Sequence, residues 1–162
     1  MQAETVIAVA ATVVALGSLW VSYSQGKAAR VHNRQSLRPI LQIRRIRNDQ
    51  EGMAGFQVVN AGLGPAVVTD SVVRWDGVVV GAWNRDVKDL VFEPVDWPQT
   101  YSLRRGSAVL VGQTTFLVRF DSDDPERLRR FYDRIKTRLV ITLHYESVYG
   151  GEGFVVSSDF PE

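Results

Sequence analysis

Cysteine is missing altogether from the 162 residues, histidine occurs only twice, and lysine is outnumbered sixteen to three by arginine. No disulfide, thiolate nucleophile or cysteine-based zinc or iron–sulfur site can be built from such a chain. His32 and His144 lie far apart in sequence, so a metal centre would need carboxylates gathered by the fold, and no metal site is expected. There is no internal repeat and no low-complexity tract, which excludes a collagenous or wholly disordered chain. An excess of charge of either sign is also lacking, with 19 Lys+Arg against 18 Asp+Glu and a formal net charge of +1. The sum hides a division along the chain. Residues 27–47 carry seven basic side chains and no acid, whereas residues 48–162 carry 12 basic and 17 acidic ones, a net −5.

The first feature present is a long apolar run. From Thr5 to Gly26 no residue is charged, and TVIAVAATVVALGSLWVSY is mostly Ala, Val, Leu and Ile. About 20 such residues at about 1.5 Å rise match a hydrocarbon core of about 30 Å, which predicts a tail and transmembrane helix over residues 1–26. A cleaved signal peptide would begin with basic residues and have a shorter apolar region, whereas this chain begins MQAE. Cytoplasmic flanks carry the Lys/Arg excess, so the N-terminus is expected outside and the remainder in the cytoplasm. Lys27, Arg30, Arg34 and Arg38 are spaced three, four and four. On a basic juxtamembrane helix over residues 27–38 they would share one face toward anionic headgroups, each contributing about 1 kcal/mol near the surface. Arg38-Pro39 would end that helix. Within the span, Ala8, Ala11, Ala15, Ser18 and Ser22 form a stripe of small residues through which two copies could pack.

After Pro39 the period changes from helical to alternating. Runs rich in Val, Ile, Phe and Tyr at Ile40–Ile46, Phe56–Asn60, Ala66–Trp75, Val78–Ala82, Ala108–Gly112, Thr114–Phe120, Leu139–Glu146 and Phe154–Ser158 are parted by Gly, Pro, Asn and Asp. This predicts one mainly β domain over residues 39–162, an antiparallel sandwich, immunoglobulin-like or barrel-like. Asp76-Gly77 is the clearest turn, because a type I′ hairpin needs two positive φ angles. That pairing would put Val73, Trp75, Val78 and Val80 on one face, and in the next strands Phe116, Val118 and Phe120 would point inward together. One surface helix is predicted near 124–136, with Ser122, Asp123 or Asp124 as cap, Pro125 in the first turn, and Leu128, Phe131, Tyr132 and Ile135 at core spacing. Asp86–Tyr101 reads as a long structured loop.

Motifs for chemistry are scarce. Asn60–Ala66 (NAGLGPA) is the most distinctive, since Gly62 and Gly64 could expose backbone amides to an anion or could simply let two strands cross closely. No helix follows it, so it is not a dinucleotide loop. Asp121, Asp123 and Asp124 lack the glycine and distal glutamate of a calcium loop and read as helix caps. No serine sits in a nucleophile turn, no carboxylate pair is selected by spacing, and no cofactor motif is present. Tyr149, in YESVYGG, offers a large contact area with a polar tip and is a candidate recognition residue.

The succession of one apolar helix, VHNRQSLRPIL, NAGLGPA and a strand ending in YESVYG resembles a loose group of small bacterial single-span membrane proteins. Their soluble part looks like an immunoglobulin-like or related β-sandwich. The resemblance implies that fold and a place in the bacterial plasma membrane, and it carries over no catalytic residue.

The expectation is therefore a non-enzymatic, membrane-anchored adaptor presenting a cytoplasmic β-sandwich to a protein partner, with a bilayer on one side and no nucleic acid, since the domain is acidic. Two alternatives stay open. One is an oligomeric membrane effector, pore-forming or membrane-disrupting, that senses a small ligand; the other is an enzyme with an unrecognised site.

Overall fold

One unbroken helix, α1, takes the N-terminal stretch Gln2–Ser36. The chain was analysed as a computed structural model that describes residues 2–92 and 94–159, the side chains at 2, 4, 6, 30–35 and 95 excepted. Within α1, Ile7–Ala29 is long and apolar enough to cross a membrane, and none of it is buried by the rest of the protein. Its hydroxyls are satisfied internally, Thr12 Oγ1 donating to Ala8 O, Ser18 Oγ to Val14 O and Ser24 Oγ to Val21 O, each at 2.9 Å. Such back-bonding removes the cost of carrying a polar group on an apolar helix.

The helix stops two residues earlier than the sequence predicts. Leu37 belongs to the second of two compact units, Met1–Ser36 and Leu37–Glu162. The Arg38 carbonyl accepts from Leu63 N at 3.1 Å, so this peptide is held in the second unit. Arg38 thus leaves the helical face expected for Lys27, Arg30 and Arg34, and its guanidinium lies 4.9 Å over the Phe154 ring.

The second unit contains β1 (Leu41–Asn48), β2 (Met53–Asn60), β3 (Ala66–Trp75), β4 (Val78–Gly81), α2 (Arg85–Val91), β5 (Gln99–Thr100), β6 (Ala108–Val109), β7 (Thr114–Asp121), α3 (Pro125–Arg138), β8 (Leu139–Ser147) and β9 (Phe154–Ser157). It is mainly β, with two antiparallel sheets. One runs β1-β2-β7-β5; the other runs β4-β3-β8-β9, with β6 also paired to β3. The core between them gathers Ile43, Phe56, Val58 and Leu117 from the first sheet and Val68, Val73, Ile141 and Leu143 from the second, all nearly inaccessible. Burying each such side chain contributes about 1.5–3 kcal/mol.

α3 packs on β2, β7 and β8. Asp124 caps it by accepting from Glu126 N at 2.9 Å, Pro125 opens its first turn, and Leu128, Phe131 and Ile135 are buried beneath it. Phe131 stacks on Phe120 at 4.4 Å and on Phe92 at 5.9 Å. The acidic cluster at its start therefore acts as a cap.

Two expectations about strand faces are corrected. Asp76 and Gly77 do adopt positive φ, 51° and 80°. A bulge after Val73 pairs that residue with Gly81; Val73, Trp75 and Val80 pack in or against the core as expected, whereas Val78, paired with Trp75, is exposed. In β7 a second irregularity lies opposite Phe56/Gln57, which pair with Val118 and Phe116 and skip Leu117. Leu117, Val118 and Phe120 are buried, and Phe116 is left outside the core cluster. A bulge adds one residue and re-aims the side chains beyond it, which alternation alone does not foresee.

Candidate functional site

Asp86–Tyr101, expected to be a loop, folds into α2, a 3-10 turn at Pro94–Asp96 and the short edge strand β5. The anchors are local and tertiary at once. Asn84 caps α2 by accepting from Val87 N at 3.0 Å, and Val87 and Val91 are buried. The buried Trp83 donates its indole N–H to Tyr101 O at 3.0 Å, and its backbone N–H goes to Ser71 Oγ at 2.9 Å. Arg127 of α3 reaches across to Asp96, Nε to Oδ1, at 3.0 Å. β5 joins β7 through Gln99 opposite Arg119 and Thr100 opposite Val118.

These supports display a surface of aromatic rings interleaved with cations. Trp97 and Tyr101 expose 45% and 56% of their area, large fractions for such rings. Lys88 Nζ sits 4.7 Å over the Trp97 ring, and Arg119 Cζ sits 5.3 Å from the centre of Phe116, a half-buried ring outside the core cluster. Two adjoining depressions share Thr100. One, of about 290 Å³, is lined by Gln99, Tyr101, Thr115, Phe116 and Arg119, and the other, of about 250 Å³, by Arg85, Lys88, Trp97 and Ser102. Partial burial pushes the Lys88 ammonium below the usual lysine value; Asp89 opposes that shift and Arg85 adds to it. Arg119 also holds Asp121, Nε to Oδ1, at 2.9 Å. The surface is therefore aromatic with charges of both signs around it.

Sequence reading missed this surface because its members come from α2, the 3-10 turn, β5 and β7. The usable signal was two large aromatics, Trp97 and Tyr101, in a polar stretch with no periodic apolar face to bury them.

The predicted site residues fall elsewhere. Among the membrane-surface candidates, Lys27 lies on α1 and Arg38 beyond its end, while the side chains of Arg30 and Arg34 lie outside the described residues. His32 is likewise outside them, and His144 is half-buried on β8. Ala8, Ala11, Ala15, Ser18 and Ser22 are all exposed on α1. Among the described residues no group of three or more His, Asp or Glu is placed to hold a metal ion.

Gly62, Gly64 and Tyr149 are brought to one end of the sandwich. A β-carbon on Gly62 or Gly64 would overlap backbone of Leu37–Ile40, so both glycines permit a close backbone crossing. The amides of the loop are already engaged: Ala61 N donates to Ile40 O at 2.8 Å, Gly62 N to Asn60 Oδ1 at 3.0 Å, and Leu63 N to Arg38 O. Buried Asn60 completes the clasp. Its Oδ1 also accepts from Ile40 N at 3.3 Å, and its Nδ2 donates to Gly64 O and Val109 O at 2.8 and 2.9 Å. Tyr149 follows β8, whose last residue, Ser147, is paired with Ala66 just after the glycine loop.

A further groove, of about 530 Å³, runs between β1 and β9, with Leu41, Ile43, Ile46 and Val156 among its lining residues. Arg45 bridges this seam, donating to Ser158 O at 2.7 Å.

Comparison with protein-family models, with curated proteins and with solved structures gives no match.

Proposed function

We propose that the protein is a membrane-anchored binding module. In this reading α1 crosses a bacterial plasma membrane with its N-terminus outside, and the β unit stands in the cytoplasm, as the seven basic residues after the apolar run favour. The partner is another protein, held by the surface around Trp97, Tyr101 and Phe116.

One observation carries this: exposed Trp97 and Tyr101 flank the short strand β5 with Lys88, Arg85 and Arg119 beside them. Trp, Tyr and Arg dominate the energetics of protein interfaces, because they combine large contact area with few rotatable bonds and a polar or charged tip.

The test is copurification of the full-length chain from detergent-solubilised native membranes, followed by an affinity measurement with the partner obtained. Trp97→Ala combined with Tyr101→Ala is expected to weaken binding by about 30-fold or more, the equivalent of losing a hot spot of about 2 kcal/mol. Val79→Ala, on the exposed face of β4, is expected to leave it unchanged. Undiminished affinity in the double variant would remove this surface from the reading.

A further inference from the structure

The end of the sandwich that receives the chain from α1 carries several exposed apolar side chains. Three loops meet there. The loop 61–65 clasps Leu37–Ile40, Gly112 N and Gln113 O bond to the Asn60 backbone at 2.9 and 3.2 Å, and Ala66 pairs with both Val109 and Ser147. At the tips stand Leu63, Leu110, Val111, Val148 and Tyr149, and Leu63, Leu110 and Val148 expose 71%, 58% and 56% of their surface. Ile40, in the clasped peptide itself, is 46% exposed. The opposite end has a different character. Its turns carry Asp49, Glu51, Asp76, Asp121, Asp123 and Asp124, α3 brings its arginines, and its exposed apolar residues, Val78 and Val79, come from the single strand β4.

Isolated surface leucines are ordinary, but exposed aliphatic tips on three separate loops at one end of the sandwich call for a cover. Chain connectivity identifies it. Leu37 follows Ser36 directly, with no linker between α1 and the clasped peptide. From Gly26, the last residue of the uncharged run, to Ser36 the helix advances about 15 Å, so the domain begins at most about that far from the hydrocarbon edge. A surface tethered so closely meets the bilayer at high effective concentration, and weak partitioning of each tip then suffices.

We infer that this end of the sandwich docks on the membrane, with Leu63, Leu110, Val111, Val148 and Tyr149 entering the interfacial layer of the leaflet that α1 leaves. The inference rests on the proposed crossing of the membrane by α1. It gives the loop carrying Gly62 and Gly64 and the loop carrying Tyr149 a common ligand, the lipid interface. It also sets the Trp97 surface on a domain held in one orientation. Aliphatic tips with an amphipathic tyrosine among them suit the headgroup boundary, where Tyr places its ring in the apolar layer and its hydroxyl in water.

The cysteine-free chain allows a direct test. Single variants Leu63→Cys, Val148→Cys, Leu16→Cys and Val78→Cys of the full-length protein are labelled with a polarity-sensitive fluorophore. Each is reconstituted into phosphatidylcholine vesicles containing some phosphatidylglycerol, with or without brominated acyl chains. Labels at Leu63→Cys and Val148→Cys are expected to be quenched several-fold by the brominated lipid. The label at Val78→Cys, about 30 Å away along the ten residues of β3, is expected to be unaffected. Quenching at Leu16→Cys without quenching at Leu63→Cys and Val148→Cys would overturn the docking while keeping the spanning helix. Absence of quenching at Leu16→Cys would overturn the crossing itself and the docking with it. Shielding of the tips that rises with protein-to-lipid ratio and ignores bromination would assign the surface to a second copy instead.

Discussion

Asn60 shows how much a single buried amide can organise. Its side chain makes four hydrogen bonds, to Ile40, Gly62, Gly64 and Val109, and so ties the incoming peptide, the glycine loop and β6 together. Replacement by alanine leaves one part-buried and one buried N–H and two buried carbonyls to find other partners, and each that stays orphaned costs about 1–3 kcal/mol. Asn60→Ala is expected to destabilise the domain by about 3 kcal/mol, read as a lowered denaturation midpoint of the detergent-solubilised protein. A loss under about 0.5 kcal/mol, the range of ordinary surface substitutions, would mean that the clasp closes without it. The motif was visible in the sequence, and a close strand crossing was one of its two readings. What could not be read was Asn60 as its centre, because two of its partners lie 20 and 49 residues away along the chain.

At the scale of elements, legibility followed periodicity. β3 occupies Ala66–Trp75 as the alternation indicates, and α3 starts at its Asp124 cap and buries Leu128, Phe131 and Ile135 as its spacing indicates. α2 and β5 were illegible, since they have seven and two residues and depend on tertiary anchors such as the indole of Trp83 on Tyr101 O. Phe116 was assigned to the core because a bulge in β7 leaves no mark in the pattern of residue types.

The β3–β4 turn is tied to the end of α3 by Arg138, which grips both carboxylate oxygens of Asp76 while its guanidinium lies 4.6 Å over Trp75. The hydrogen bond from Arg138 holds the Asp76 carboxyl below its ordinary value. A depressed carboxylate contributes stability above its unfolded value, near pH 4, and that contribution fades as pH falls through the lower folded value. Asp76→Asn keeps a residue that tolerates positive φ and removes only the charge. Its melting temperature is expected to fall below wild type at neutral pH, by the small amount an exposed pair supplies, and to converge with it as pH drops below about 4. A gap that stays constant down to acid pH would show that the pair adds nothing through its charge.

At the scale of the whole molecule, near-neutrality is a cancellation between a basic collar after the apolar run and an acidic β unit. The proposed orientation makes a prediction independent of any partner. In intact cells an impermeant thiol reagent is expected to leave Val78→Cys unlabelled until the membrane is permeabilised, because the β3–β4 hairpin would face the cytoplasm. Prompt labelling would put the domain outside and overturn the cytoplasmic partner.

The clasp of Gly62 and Gly64 on Leu37–Ile40 also has a mechanical meaning. Tension on the tether enters the domain at the start of β1, whose eight residues lie antiparallel to β2 from Leu41–Asn60 to Asn48–Met53. A pull along the strand axis would load that ladder in shear, so several hydrogen bonds would bear the force together and none would be peeled singly. If α1 is anchored as proposed, leaflet flow or a receding partner would then strain the β1–β2 pair before it disturbed the other edge of that sheet, β5, which Trp97 and Tyr101 flank.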